Sequence, residues 1–389
     1  MLRPPSDGLP ANGSRLRRVA AVAVSLPAPY EASDGRVEGR AQGGTTDIGV
    51  YVSGGGRYRL VTMRHLQHAG RFSVAATGLP AGDRSLRIVA FRDGKVLGSR
   101  VIRPVYGLPR RAFRVVAARR TVAGVQRRLK GIGGAGVRAV WMRGLASGEA
   151  ASYNAGARFS AASTLKLGIL MTSLAANARN PVNGPVWGAY RRMVLDSDNA
   201  SANAVERQMG GSTSGGSAMV NALCRRLGCR DTDMFGGYIP GPGLVRVMRR
   251  ELAPRPATTI PPVRVDRAPF IATYGKHTTA HDLGMLLSGL VQAGAGKGVA
   301  HRAGISRHEA RVAIWLLIHA RYPGLVRPNV RDTVAHKAGW LGNVQHDAAL
   351  VFTSRGTVVT VIMSQGGVSL SSSQRYGARV LELALARLR

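Results

Sequence analysis

Hydropathy changes period once along this 389-residue chain, and that change limits the fold more than any other feature. Between about residues 19 and 104, short runs at 47–52, 58–63, 71–76, 85–92 and 95–103 alternate polar and apolar residues and are separated by Gly, Pro and Asp. Period two places every second side chain on one face, so these runs predict strands of sheets with one buried side. Asp93-Gly94 stands between two of them, and an Asp-Gly pair suits a two-residue hairpin turn. Beyond about residue 121 the spacing becomes mixed. Helices are predicted over 122–130, 199–209, 217–227 and 372–388, and strands over 137–142, 149–154, 333–338, 347–353 and 357–364. Thr279-Ala280-His281-Asp282 and Ser306-Arg307-His308-Glu309 have the spacing of capping boxes that open two further helices.

These patterns divide the chain into a disordered tail (1–18), an all-β immunoglobulin-like sandwich (19–104), a Pro- and Arg-rich linker (105–120) and an α/β domain (121–389). In the last, helices, then an antiparallel sheet, then a closing helix predict a helix–sheet–helix layering. The apolar run 19–26 reads as a first strand rather than a signal-peptide core, being short and followed by no clean cleavage pattern.

One stretch of the second domain carries chemistry. In Phe159-Ser160-Ala161-Ala162-Ser163-Thr164-Leu165-Lys166, a hydroxyl and an amine fall three residues apart at the start of an apolar helix, on one face. A serine hydroxyl needs a base to take its proton. Lys166 serves only if burial or a nearby cation lowers its pKa. Lysine is rare here, occurring only at Lys95, Lys130, Lys166, Lys276, Lys297 and Lys337. Among so many arginines, a retained lysine marks a position where an amine able to lose its proton is useful. Lys166 and Lys337 stand in motifs; the other four do not.

Ser197-Asp198-Asn199 and Lys337-Ala338-Gly339 follow in the order Ser-x-x-Lys, Ser-Asp-Asn, Lys-Thr-Gly. With these three motifs the chain, from about Val122 to its end, resembles the class A β-lactamase-like serine hydrolases, a superfamily that includes penicillin-binding enzymes. The resemblance implies that Ser163 is the acylated nucleophile and Lys166 its base. It implies that Ser197 relays a proton to the leaving nitrogen and that Asn199 holds Lys166 and the substrate amide. Lys337 would anchor a substrate carboxylate and, as a second cation, lower the pKa of Lys166. Ala338 and Gly339 would line the substrate, and the backbone N–H groups of Ser163 and Trp340 would form the oxyanion hole. Asp198 reads as a helix cap, and His336 as a packed strand residue.

The chain departs from that family in three places. Ser163 and Ser197 are closer in sequence than is typical, Ala338 stands where Thr is usual, and 231–238 has no Glu where the family carries the base for its deacylating water. Glu251, in an enlarged loop over 240–270, reads as a surface ion pair rather than a substitute. Acylation should therefore outrun deacylation. β-Lactam hydrolysis, D-Ala-D-Ala peptidase or esterase action, and non-catalytic penicillin binding are the readings to separate.

The formal charge of +35 comes almost wholly from scattered Arg, and aromatic residues make up only 5%. With neither a basic stripe nor stacking platforms, nucleic acid is not an expected partner. An anionic cell-envelope surface is. The expected substrate is a small β-lactam or a peptidoglycan-like peptide, the expected state a monomer, and the expected location secreted or envelope-associated. No metal and no organic cofactor is implied, and no apolar run is long enough to span a membrane. Cys224 and Cys229 flank a helix end at Gly228 and read as a local disulfide, with two inert thiols as the alternative.

Overall fold

A computed structural model describes residues 9–10, 21–134, 136–177, 181–238, 276–366 and 368–388. The chain forms two compact units, Met1–Ala112 and Phe113–Arg389. The 240–270 loop with Glu251, and most of the expected tail, lie outside the described residues.

The first unit holds β1 (Leu9–Pro10), β2 (Val22–Leu26), β3 (Glu31–Ser33), β4 (Arg36–Ala41), β5 (Asp47–Gly54), β6 (Arg57–His65), β7 (Arg71–Ala75), β8 (Gly82–Arg92) and β9 (Lys95–Gly107). They make a six-stranded sheet in the order β1-β6-β5-β8-β9-β3 and a three-stranded sheet β2-β4-β7. The larger sheet is mixed, because β3 runs parallel to β9. Val37 and Phe72 from one sheet and Ile48, Val50, Leu86 and Ile88 from the other share one buried core, the faces that the alternation marked. Asp93 and Gly94 both take positive φ, 48° and 79°, in the hairpin between β8 and β9.

The second unit opens with β10 (Arg120–Thr121), α1 (Ala123–Gly131), β11 (Val137–Gly144), β12 (Glu149–Tyr153) and β13 (Phe159–Ser160). A 3₁₀ turn, Ala162–Leu165, leads into α2 (Lys166–Ala176), α3 (Trp187–Leu195), α4 (Asn199–Gly210) and α5 (Thr213–Arg226). After the loop come β14 (His277–Thr278), α6 (Ala280–Gly294), α7 (Gly298–Arg302), α8 (Arg307–Ile318), β15 (Thr333–Leu341), β16 (Val344–Thr353), β17 (Gly356–Gln365) and α9 (Leu370–Arg387). The sheet order is β10-β12-β11-β17-β16-β15, antiparallel except for the two-residue pairing of β10 with β12.

Alternation along β11 sorts the layers. Val140 and Met142 join Val125 and Leu129 of α1 and Val380 and Leu381 of α9 in one buried cluster. Trp141, between them, points to the opposite face, where Gly284 of α6 makes room: a Cβ there would come within 2.2 Å of the indole. The sheet is thus enclosed by helices on both faces. Its edge strand, β15, is the one that carries Lys337-Ala338-Gly339.

Three local expectations are adjusted. The stretch 105–120, read as a linker, gives its first three residues to β9 and seats Phe113 against Gly294 and the Arg311 guanidinium. α3 went unread because its N-cap residue, Val186, makes no side-chain capping bond, so no start signal is present. Cys224 and Cys229 are free buried thiols rather than a disulfide. The Cys229 sulfur donates to the Asp282 carbonyl, and its hydrogen bond with the Cys224 thiol, followed by burial, raises its pKa. Among the described residues no helix is long and apolar enough to cross a membrane.

Candidate active site

α2 is buried on every side from Lys166 to Leu174, as a core helix with apolar residues all around must be. Lys166 is the only cation in that run and is itself fully buried. Its Nζ donates to Ser163 Oγ at 2.9 Å, to the Ser197 carbonyl at 2.5 Å and to Asn199 Oδ1 at 2.7 Å. Even so partnered, a buried ammonium is costly. Burial brings the Lys166 pKa down to about 8; the Asp198 carboxylate opposes this and the Lys276 cation reinforces it.

Ser197 arrives on the turn between α3 and α4 with φ of 59°, and Ala162, just before Ser163, has φ of 45°. Left-handed backbone costs a non-glycine residue roughly 1–2 kcal/mol, so strain is held on both sides of the Lys166 amine. Asp198 Oδ1 accepts from Ser201 N at 2.7 Å and caps α4, which leaves Asn199 on the first turn facing Lys166. From β15, the Lys337 ammonium donates to Ser197 Oγ at 2.9 Å, and Lys166 reaches the same oxygen at 3.4 Å. The five side chains named from sequence therefore meet around two amines.

Lys337 is pushed to about 7, by burial first and by Lys166 second. The two lysines disfavour one another's charge, and Lys276 adds to the effect on Lys166.

Gly339 brings β15 against the turn that carries Ser163: a Cβ on it would lie 2.9 Å from both the Ser163 and Thr164 amide nitrogens. Next to it, Trp340 is 37% exposed and stacks on Tyr322 at 4.0 Å and 11°. His346, behind the strand, is buried and held near pKa 4 by desolvation. It is therefore neutral. Its Nε2 donates to the Ser160 carbonyl at 3.0 Å while Nδ1 accepts from Ser364 N at 3.2 Å, which pins the residue three before the nucleophile. His336 is a packed strand residue, fully buried and bonded to Asp347 at 2.8 Å.

The loop 231–238 shows where its carboxylates go. Asp231 pairs with Arg158 at 2.8 Å, and Asp233 accepts from Asn221 at 3.0 Å. Asp282 holds the loop by accepting from Asp231 N at 2.8 Å and Thr232 Oγ1 at 2.9 Å. Its Oδ2 is thus spent on the loop while Oδ1 meets His281 Nδ1 at 3.0 Å, and the box expected at Thr279 is only half formed: Thr279 Oγ1 accepts from Asp282 N. At Ser306 both halves are present.

What the loop delivers to Lys166 is Tyr238. Its N–H donates to Asn203 Oδ1 at 2.6 Å and its hydroxyl to the Ala162 carbonyl at 3.3 Å; Lys166 Nζ sits 4.6 Å from its ring centroid. Sequence reading missed Tyr238, Lys276 and the buried Glu206. Of these only Lys276 left a signal, as a lysine in an arginine-rich chain. Among the described residues no group of three or more His, Cys, Asp or Glu is placed to hold a metal ion.

The family model described as the beta-lactamase enzyme family matches residues 177–383, just over half of the chain. The matched span includes Ser197, Asn199 and Lys337, and begins beyond Ser163 and Lys166. No curated protein matches. Among solved structures, PBP-A is similar at 17% identity with a TM-score of 0.51, covering 70% of this chain and 100% of that one. An acyl-enzyme complex of a PBP-A mutant with penicillin G is similar at 17% identity and a TM-score of 0.50, with the same coverage. A beta-lactamase from Sphaerobacter thermophilus is 18% identical with a TM-score of 0.48, covering 68% of this chain and 95% of that one. At such identities the likeness to PBP-A speaks for the fold of the second unit.

Proposed function

Since this chain belongs to the beta-lactamase enzyme family, we propose that it opens a β-lactam amide through a covalent acyl-enzyme on Ser163. The observation that carries this reading is the buried Lys166 amine 2.9 Å from Ser163 Oγ. In its neutral form that amine takes the hydroxyl proton as the oxygen attacks the carbonyl carbon. The backbone N–H groups of Ser163 and Trp340 receive the developing oxyanion. Ser197, in contact with both amines, passes a proton to the leaving nitrogen as the C–N bond breaks. Asn199 orients the substrate amide, and Lys337 with Ala338 and Gly339 receives its carboxylate end.

Release of the acyl group is the slow half. Asp231 and Asp233 are committed to Arg158 and Asn221, and the residue brought to Lys166 is an aromatic one, so water lacks a carboxylate base in this loop. The same observation favours a second reading, a D-Ala-D-Ala peptidase or esterase whose substrate leaves a less stable acyl group. The first unit reads as an immunoglobulin-like spacer or envelope-attachment module, supported by its two sheets on a shared core, in a secreted or envelope-associated monomer.

Labelling with a fluorescent penicillin, followed by intact mass after a chase, tests the proposal on wild type beside Ser163→Ala. A persistent adduct on wild type alone is expected. A transient adduct with steady turnover would sink slow deacylation, and no adduct would leave a non-catalytic binding protein.

A further inference from the structure

Lys276 stands outside every motif, yet the fold places it, partly buried, beside the nucleophile's base. Its backbone carbonyl accepts from Ala161 N at 2.8 Å, two residues before Ser163. Its ammonium donates to the Gly237 carbonyl at 2.9 Å and lies 4.7 Å from the Tyr238 ring centroid and 5.7 Å from that of Phe235. Lys166 Nζ lies 4.6 Å from the same Tyr238 centroid. The two nitrogens thus lie beside one aromatic ring and no more than about 9 Å apart, Lys166 fully buried and Lys276 partly so, where screening by water is reduced. Behind Lys276 is Glu206, fully buried: one oxygen accepts from Ser217 Oγ at 2.8 Å, and the other has no hydrogen-bond partner among the described residues.

The geometry points to Lys276 as a positioning residue of this site, a partly buried cation that acts on Lys166 beside the Tyr238 ring they share and keeps the Lys166 amine free to accept the Ser163 proton. This rests on the reading of Lys166 as the base. The groups facing Lys166 are few. Asp198 on the α4 cap favours its ammonium, Lys276 disfavours it, and Lys337 on β15 and Lys166 disfavour one another's charge. Tyr238 stays a neutral phenol, its pKa raised by burial and by Glu206. Lys276 faces Glu206, whose carboxylate favours the Lys276 ammonium against the cost of burial. Glu206, pushed up to about 7 by burial, in turn feels Lys276 and Arg207. Lys276 thus has a counter-charge of its own in Glu206, as Lys337 has in Asp347, and adds to the charge facing Lys166 from outside the motifs.

With six lysines in the chain, selective ¹³Cε-lysine labelling gives few enough NMR signals to titrate each side chain, assigned by single Lys→Arg variants. Lys276→Gln keeps a donor for Gly237 and removes the charge; Lys276→Arg keeps the charge. The Lys166 midpoint should rise by about one pH unit in Lys276→Gln, the effect of a unit charge at this range, and stay near wild type in Lys276→Arg. Acylation of Lys276→Gln by the fluorescent penicillin at neutral pH should fall about tenfold and recover at high pH. An unchanged Lys166 midpoint in Lys276→Gln overturns the assignment. So does a wild-type Lys276 that titrates below Lys166, a measurement that needs no variant to fold. If wild type is never acylated while the Lys166 midpoint still moves, the hydrolase reading falls and the control of Lys166 by Lys276 stands.

Discussion

Gly339 lies so near Ser163 that a Cβ on the glycine would sit 2.9 Å from the Ser163 amide nitrogen. The contact is backbone to backbone, so no flexible side chain can yield. Gly339→Ala should push β15 away from the nucleophile turn and separate the two amides proposed to share the oxyanion. Acylation is expected to slow by about a hundredfold or more, while overpacking costs about 1–3 kcal/mol. Single-turnover labelling beside a urea melt separates the two effects, and a variant that acylates like wild type would remove Gly339 from the site.

The acylation rate should rise with pH through about 8 and then level off, because the base must be neutral and the Lys166 pKa is about 8. The sign is that of a cation losing its proton to become active. Lys166→Arg, whose guanidinium keeps its proton, should lose acylation at every pH. Burst amplitudes and rates recorded from pH 6 to 10 give the profile; a rate that shows no rise as Lys166 loses its proton would contradict the role of Lys166.

His346 ties stability to pH. Its pKa is near 4 in the folded protein, against about 6.5 unfolded, so the unfolded chain binds the proton more tightly. Stability from this residue is complete above about 6.5 and is lost as pH falls toward 4, by up to about 3 kcal/mol. Denaturant midpoints at pH 7 and 4.5 should diverge more in wild type than in His346→Asn.

Asp282 anchors the loop that carries Tyr238 through two bonds to a buried carboxylate. Asp282→Ala should cost about 3 kcal/mol, since bonds to charged groups are the stronger ones. It should also loosen Tyr238 over Lys166. Urea unfolding reads the first effect and the Lys166 titration the second.

Much of this architecture is legible from local pattern. The strands from Asp47 to Gly107 alternate as a half-buried sheet must, and Asp93-Gly94 turns where the letters say. Asp198 caps α4, and Ser306 with Glu309 caps α8. Illegible elements lack local signals: α3 has no capping residue, and β3 is three residues long. The half-formed box at Thr279 shows the limit. Its spacing is correct, but Asp282 finds stronger donors in a loop 50 residues away, at Asp231 and Thr232.

Sequence by itself determined which groups could react: a serine and a lysine one turn apart, a second serine with Asn199, and Lys337 with Gly339 on a strand. Spacing along a helix or strand is a local property, so the letters carry it. Tertiary structure alone decided the proton state of Lys166. That depends on desolvation and on charges contributed by Asp198, Lys276 and Lys337, and on the Tyr238 ring, groups that meet only when distant segments pack into one volume poor in water.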